Sequence, residues 1–177
     1  YVEGNLISKP YINITLKLMN LFGVRILEKK NKVFLISSKQ ILNSPKKIDI
    51  ESDASSASYF LAAAAIGGGD LKINGLGSKS IQGDIQFIKI LEKMGVTIKV
   101  KNNFIEVSGD KILKPINEDL NHIPDAAMTL AILALYADGI SVLKNIGSWR
   151  VKETDRLKAM STELRKVGAK IIEGKDF

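Results

Sequence analysis

The chain has 177 residues, 45% of them apolar and 25% charged, which is the composition of a globular protein long enough to bury a sizeable core. It holds no cysteine and one histidine, His122, which excludes disulfides, thiolate metal sites and histidine-based metal centres. The net charge of +7 suits anionic partners, but the lysines are scattered rather than gathered into a stripe with interleaved aromatics, which argues against a nucleic-acid groove.

No apolar run approaches membrane-spanning length, the longest being Tyr59–Ile66, and no secretory signal is visible. The first residue is Tyr, with no start signal around it, so the sequence is expected to be a piece of a longer chain, incomplete at both ends.

Taken in order, the pattern predicts a helix near Pro10–Phe22, with the proline suited to its first turn. A hairpin of Val24–Leu27 with Val33–Ile36 follows, then a polar turn at Ser44–Lys47 and a domain boundary near Asp49–Ser52. An apolar helix opens after Asp53 and ends at Gly67–Gly69, where a helix end and turn are expected. With no Lys-Ser/Thr behind it, this glycine run is not a phosphate loop. A strand at Asp70–Asn74 leads to an amphipathic helix over Gln82–Met94. Alternating strands then fall at Val96–Val100 and Phe104–Val107, turning at Asn102-Asn103. The series restarts with a helix at Ala126–Ala137, a strand at Ile140–Lys144 and a second amphipathic helix over Val151–Val167.

That restart is an internal repeat. Gly23, Gly95 and Gly168 each sit between a helix end and an alternating segment, 72 and then 73 residues apart. Asp53-Ala-Ser-Ser echoes Asp125-Ala-Ala-Met at 72, and Ile81-Gln-Gly-Asp84 echoes Val151-Lys-Glu-Thr-Asp155 at 70 to 71. The unit is α-β-α-β-β with a strand leading in, which predicts an α+β, two-layer fold with helices on one face of the sheet.

Polar and ionisable groups gather at three expected helix N-termini, at Tyr11, Asp125 and Lys152. Asp53 and Asp125 are read as N-caps accepting backbone N–H bonds. Asp125 carries a further expectation: its helix is apolar on nearly every side and therefore buried, with its N-terminus aimed at a cleft. Ser55, Ser56 and Ser58 read as packing and capping residues, His122 as a hydrogen-bonded structural residue, and Trp149 as core or cleft wall.

The densest charge lies in Asn145–Leu157, where Arg150, Lys152, Glu153, Asp155 and Arg156 fall within seven positions. With the helix taken to begin at Val151, Lys152 and Arg156 share a face and Glu153 stands beside them. Cations at a helix N-terminus oppose the macrodipole, so they either pair among themselves or meet an anion. Lys152, Arg156 and Arg150 suit phosphate and carboxylate groups, while Asp125 and Glu153 suit proton transfer. From residues alone, the chain reads as an anion-binding enzyme on a repeated scaffold.

Five segments extend that reading: Ser8-Lys-Pro-Tyr-Ile-Asn-Ile-Thr15, Asp53-Ala-Ser-Ser-Ala-Ser-Tyr-Phe-Leu-Ala-Ala-Ala-Ala65, Gln82-Gly-Asp84, Asn121-His-Ile-Pro-Asp-Ala-Ala-Met128 and Trp149-Arg-Val-Lys-Glu-Thr-Asp-Arg156. Together they resemble the 5-enolpyruvylshikimate-3-phosphate synthases, over essentially the whole chain.

The resemblance implies transfer of the enolpyruvyl group of phosphoenolpyruvate to the 5-hydroxyl of shikimate 3-phosphate. This is a step of the shikimate pathway toward chorismate and aromatic amino acids, with release of phosphate and with no cofactor or metal. It implies repeated βαβαββ units of about 72 residues in an inside-out α/β barrel. Residues 1–50 would end the first domain and 51–177 would form two units of the second. A cytoplasmic, monomeric enzyme with no nucleic-acid or membrane partner is expected.

By position, Tyr11 should contact shikimate 3-phosphate, and Asp125 should bind its hydroxyls and act as base. Lys152 should touch both substrates, Glu153 should protonate the phosphoenolpyruvate methylene, and Arg156 should hold that substrate's carboxylate or phosphate. Asp53 corresponds to a residue near the crossover. Ser148 stands where many relatives have an asparagine that contacts shikimate 3-phosphate, and its shorter side chain weakens that contact.

Several family contacts have no counterpart here: an early lysine and Ser/Arg contacts, a middle Ser-Ser-Gln group, and a late arginine and lysine. The segment alone is therefore expected to turn over negligibly. Two alternatives stand beside this reading: an enzyme like UDP-N-acetylglucosamine enolpyruvyl transferase, and a non-catalytic module that binds anions or RNA.

Overall fold

The computed structural model describes residues 1–4, 6–109 and 112–177. Helix α1 (Lys9–Leu21) carries Pro10 in its first turn and is followed by the hairpin β1 (Ile26–Lys29) and β2 (Val33–Ile36), which pair from Ile26↔Ile36 to Lys29↔Val33. An extended stretch then leads to α2 (Ala54–Gly67) and β3 (Gly69–Asn74). As predicted, Asp53 caps α2, accepting from the Ser55 N–H at 2.9 Å.

The second amphipathic helix of each unit is divided in the same way. A 3-10 turn at Gly83–Gln86 precedes α3 (Phe87–Lys93), and one at Gly147–Val151 precedes α5 (Arg156–Lys166). Strands β4 (Thr97–Val100) and β5 (Phe104–Gly109) complete the first unit, with β5 central between β3 and β4 and antiparallel to both. The inward set on β5, Ile105 and Val107, is buried, facing Ile73 and Leu71 on one side and Val100 and Ile98 on the other.

In the second unit, β6 (Asn117–Asp119) leads in, α4 (Ala127–Ala134) crosses over, and β7 (Val142–Lys144) pairs with β6 in parallel. The predicted leading strand is thus present in this unit. The Gly23, Gly95 and Gly168 positions all take positive φ (85°, 96° and 92°), the left-handed turn that ends a helix and that glycine adopts without steric cost.

One continuous core joins the two units. Phe87, Leu91, Met94, Ile105, Leu120, Ile123, Leu130, Leu133 and Trp149 are each almost fully enclosed. Helices α2 and α4 meet through a buried contact between the Ser58 and Thr129 hydroxyls, 2.9 Å apart.

Among the described residues the sheets hold two, three and two strands, and the barrel is not closed. Three expectations differ from what forms. After Gly168 no strand forms; the backbone there instead turns, with the Gly174 N–H donating to the Phe177 carbonyl and the Asp176 carbonyl accepting the Ile146 N–H, each at 3.0 Å. Helix α4 buries Ala127, Thr129, Leu130 and Leu133 but leaves Ile132 exposed, and Leu135 and Tyr136 beyond its end are exposed too; the segment is one-sided rather than enclosed. Finally, α5 starts at Arg156 rather than Val151, because Asp155 caps it by accepting from the Lys158 N–H at 3.0 Å. Lys152 has an extended backbone (φ −83°, ψ −155°), so Lys152 and Glu153 lie in a connecting turn and share no helix face with Arg156.

Candidate active site

Three local arrangements bring α1, the Gly83 turn and the start of α4 together. The Ser8 N–H approaches the Asn121 side-chain Oδ1 at 3.4 Å. Gly83 lies under Pro10, where a Cβ would come within 2.2 Å of the proline Cβ, so the close approach of α1 depends on glycine. The Gln82 side chain ties this turn to α2: its Oε1 accepts the Ala54 N–H at 2.8 Å, and its Nε2 donates to the Ser52 carbonyl at 2.7 Å and to Glu51 at 3.0 Å.

Tyr11 is consequently held between two aspartates. Its hydroxyl lies 2.9 Å from Asp125 Oδ2 and 3.0 Å from Asp84 Oδ2, which also receives the Ser55 hydroxyl. Burial, together with the neighbouring carboxyl groups of Asp84 and Asp125, pushes the Tyr11 phenol well above its ordinary pKa.

Asp125 does not cap α4, contrary to expectation. The residue at that cap is Ala126, and the Asp125 carboxylate turns instead toward cations. Its Oδ1 accepts from Arg156 Nη1 at 2.6 Å and lies 3.7 Å from Lys152 Nζ. Burial works to raise the Asp125 pKa, but the bonds from Arg156 and Tyr11 and the charge of Lys152 outweigh it and hold the carboxyl below its usual range.

Arg156 is the hub of this cluster and is largely enclosed, with 16% of its side chain exposed. It grips Glu153 with two parallel bonds, Nε to Oε1 at 2.7 Å and Nη2 to Oε2 at 2.8 Å. That pairing lowers the Glu153 pKa, although the carboxylate itself faces solvent.

The structure thus unites Tyr11, Asp125, Lys152, Glu153 and Arg156, which lie up to 145 residues apart in sequence. Ser148 is not joined to them; its hydroxyl is buried in the 3-10 turn without a partner. Arg150 is turned away as well, bonded to Asp155 at 2.9 Å, to Glu173 at 2.8 Å and to the Gly174 carbonyl at 2.7 Å. Trp149 is core, as expected, and its indole N–H donates to the Pro124 carbonyl at 2.7 Å, fixing the residue before Asp125. Asp84 is the participant whose role the sequence left unread. Its signals were its place in the Gln82-Gly-Asp84 motif and the echo of that segment at Asp155.

A family model for EPSP synthase (3-phosphoshikimate 1-carboxyvinyltransferase) matches residues 1–177. The chain belongs to the EPSP synthase family. Over 177 residues it is 58% identical to a 3-phosphoshikimate 1-carboxyvinyltransferase of Buchnera aphidicola subsp. Acyrthosiphon pisum, covering 100% of this chain and 41% of the relative. The enzyme of the same name from Janthinobacterium sp. (strain Marseille) is 56% identical over 176 residues, covering 99% of this chain and 40% of that protein.

The chain therefore spans about two fifths of the length of the curated relatives it matches. Among solved structures, EPSP synthase from Acinetobacter baumannii aligns with a TM-score of 0.75 at 28% identity, over 90% of this chain and 38% of that one. The mixed helix-and-sheet fold is that of the EPSP synthases, with the barrel unclosed here. These matches do not favour the sugar-nucleotide enolpyruvyl transferase or the binding-module alternative.

Proposed function

We propose that this chain forms part of an enzyme that moves the enolpyruvyl group of phosphoenolpyruvate to the 5-hydroxyl of shikimate 3-phosphate, releasing phosphate. The observation that carries the reading is the Asp125–Arg156–Glu153 chain of ion pairs, with Lys152 beside it, in a member of this family.

Asp125, kept ionised by two cations, is suited to receive the proton of the attacking 5-hydroxyl. Glu153 is suited to give a proton to the methylene carbon of phosphoenolpyruvate, leaving C2 electrophilic for the 5-oxygen. Arg156 and Lys152 match the charge of the substrate's carboxylate and phosphate and of the tetrahedral intermediate. Glu153, now a carboxylate, can take a proton back from the new methyl group as phosphate departs, which restores the vinyl ether.

The resting ion pair constrains this scheme. A carboxylate held by a guanidinium stays ionised and has no proton to give, so Glu153 must leave Arg156 and take up a proton from solvent before it can protonate carbon. An arriving anion does this by competing for the same N–H groups, and the released Glu153 regains a higher pKa. The reading carries with it a domain division at residues 50 and 51, a cytoplasmic and monomeric enzyme, and no nucleic-acid or membrane partner. Among the described residues, no helix is long and apolar enough to cross a membrane.

The test replaces the matched segment of the Buchnera relative, 58% identical, with residues 1–177 of this chain. Phosphate release that requires both substrates and is lost in Glu153→Gln is the expected result. A folded chimera that binds shikimate 3-phosphate yet releases no phosphate would overturn the reading.

A further inference from the structure

The phenol of Tyr11 has one proton and two carboxylate oxygens to satisfy, Asp125 Oδ2 at 2.9 Å and Asp84 Oδ2 at 3.0 Å. With both aspartates ionised, one contact would set an oxygen lone pair against an anion. A second proton is therefore required.

The surroundings decide where that proton sits. Asp125 faces Arg156 and Lys152 and is partly exposed, so its charge is compensated. Asp84 is 4% exposed and joins no ion pair among the described residues. The groups facing it are Tyr11 from α1, Asp53 and Ser55 from the start of α2, and Asp125 from the turn before α4. None of these is a cation, and two are anionic. Its Oδ1 is buried with no hydrogen-bond partner, which is costly for a carboxylate and mild for the carbonyl oxygen of an acid. Burial and the nearby Asp125 and Asp53 charges, acting against the bonds from Ser55 and Tyr11, raise the Asp84 pKa in agreement with this geometry.

We propose that Asp84 is a neutral positioning acid: its Oδ2–H donates to the Tyr11 oxygen, and the Tyr11 O–H in turn donates to Asp125 Oδ2. The Ser55 hydroxyl donates to the remaining lone pair of Asp84 Oδ2. This one-way chain leaves Asp125 as the ionised end and sets the direction of its hydrogen bond. The consequence for catalysis rests on the reading of Asp125 as the base, whereas the protonation pattern itself does not.

The test is a carbon-13 carboxyl NMR titration of the 177-residue chain, which needs no substrate or turnover and so stands or falls apart from the enzyme reading. Asp84 is expected to titrate above the ordinary aspartate range and Asp125 below it. Asp84→Asn, isosteric with the neutral acid, should leave the Asp125 midpoint within a few tenths of a unit, because no charge is removed. An ionised Asp84, by contrast, would be a like charge on the far side of the one phenol oxygen that both aspartates contact, and its removal would lower the Asp125 midpoint by about one to two units. That shift, or a wild-type Asp84 that titrates below Asp125, would overturn the proposal.

Discussion

Replacing Trp149 with Phe probes the link between the core and the site. The indole is 2% exposed, and its N–H reaches the Pro124 carbonyl at 2.7 Å in a buried setting. Among the described residues Phe removes the only donor to that carbonyl, and an orphaned buried acceptor costs about 1–3 kcal/mol. The smaller ring also leaves a gap among well-packed neighbours, adding about 1–2 kcal/mol. Together the loss is about 2–5 kcal/mol, a large share of the stability of a domain this size. Urea unfolding followed by circular dichroism measures it, since the variant has no tryptophan left to report fluorescence. Because Pro124 precedes Asp125, the same substitution should loosen the Asp125–Arg156 bond and raise the Asp125 carboxyl midpoint. A loss below about 1 kcal/mol with an unmoved Asp125 midpoint would refute the view that Trp149 supports the site through Pro124.

Three further outcomes follow from the same geometry. The folded-state pKa of Asp125 is depressed, so its stabilising contribution is complete above the unfolded aspartate value of about 3.9 and fades as pH falls through the folded value. Unfolding midpoints measured from neutral to strongly acidic pH should show this loss in the wild type and a flatter profile in Asp125→Asn; parallel profiles would count against the ion-pair account. Glu153→Gln weakens the hold on Arg156, so inorganic phosphate should bind several-fold tighter by calorimetry, and Arg156→Gln should abolish that gain. In the buried Ser58–Thr129 pair, Ser58 also donates to the Ser55 carbonyl, so Thr129 is the donor between them. Thr129→Val should cost about 1 kcal/mol in urea unfolding, and much less in a Ser58→Ala background.

What the sequence made legible is local. Asp53 as a cap, the left-handed glycines after the helices and the Asn102-Asn103 hairpin are each decided within a few residues. The repeat also survives, down to a 3-10 turn ahead of each second helix. Asp125 escaped the same reasoning because its partners lie 31 residues downstream in Arg156 and 114 upstream in Tyr11. Two cations and a phenol outcompete a pair of helix N–H groups for one carboxylate, and no local pattern records that contest. The start of α5 differs from the sequence expectation for another reason. Leu157, Met160, Leu164 and Val167 repeat at helical spacing but do not mark where the helix begins, while the cue that matters is Asp155, one residue before it.

The protonation of Asp84 bears directly on whether the cluster can accept an anion. With Asp84 neutral, the site holds two carboxylates, Asp125 and Glu153, against two cations, Lys152 and Arg156. An anion that displaces Glu153 toward solvent then meets Lys152 and Arg156 opposed by Asp125 alone, a net positive pocket. With Asp84 ionised, that surplus vanishes and the incoming charge gains nothing from the exchange. Phosphate affinity of the wild-type chain should therefore fall as pH rises through the Asp84 midpoint, and Asp84→Asn should remove that fall. An identical decline in the variant would assign it to titration of the cations or of the phosphate itself, and would separate Asp84 from anion binding.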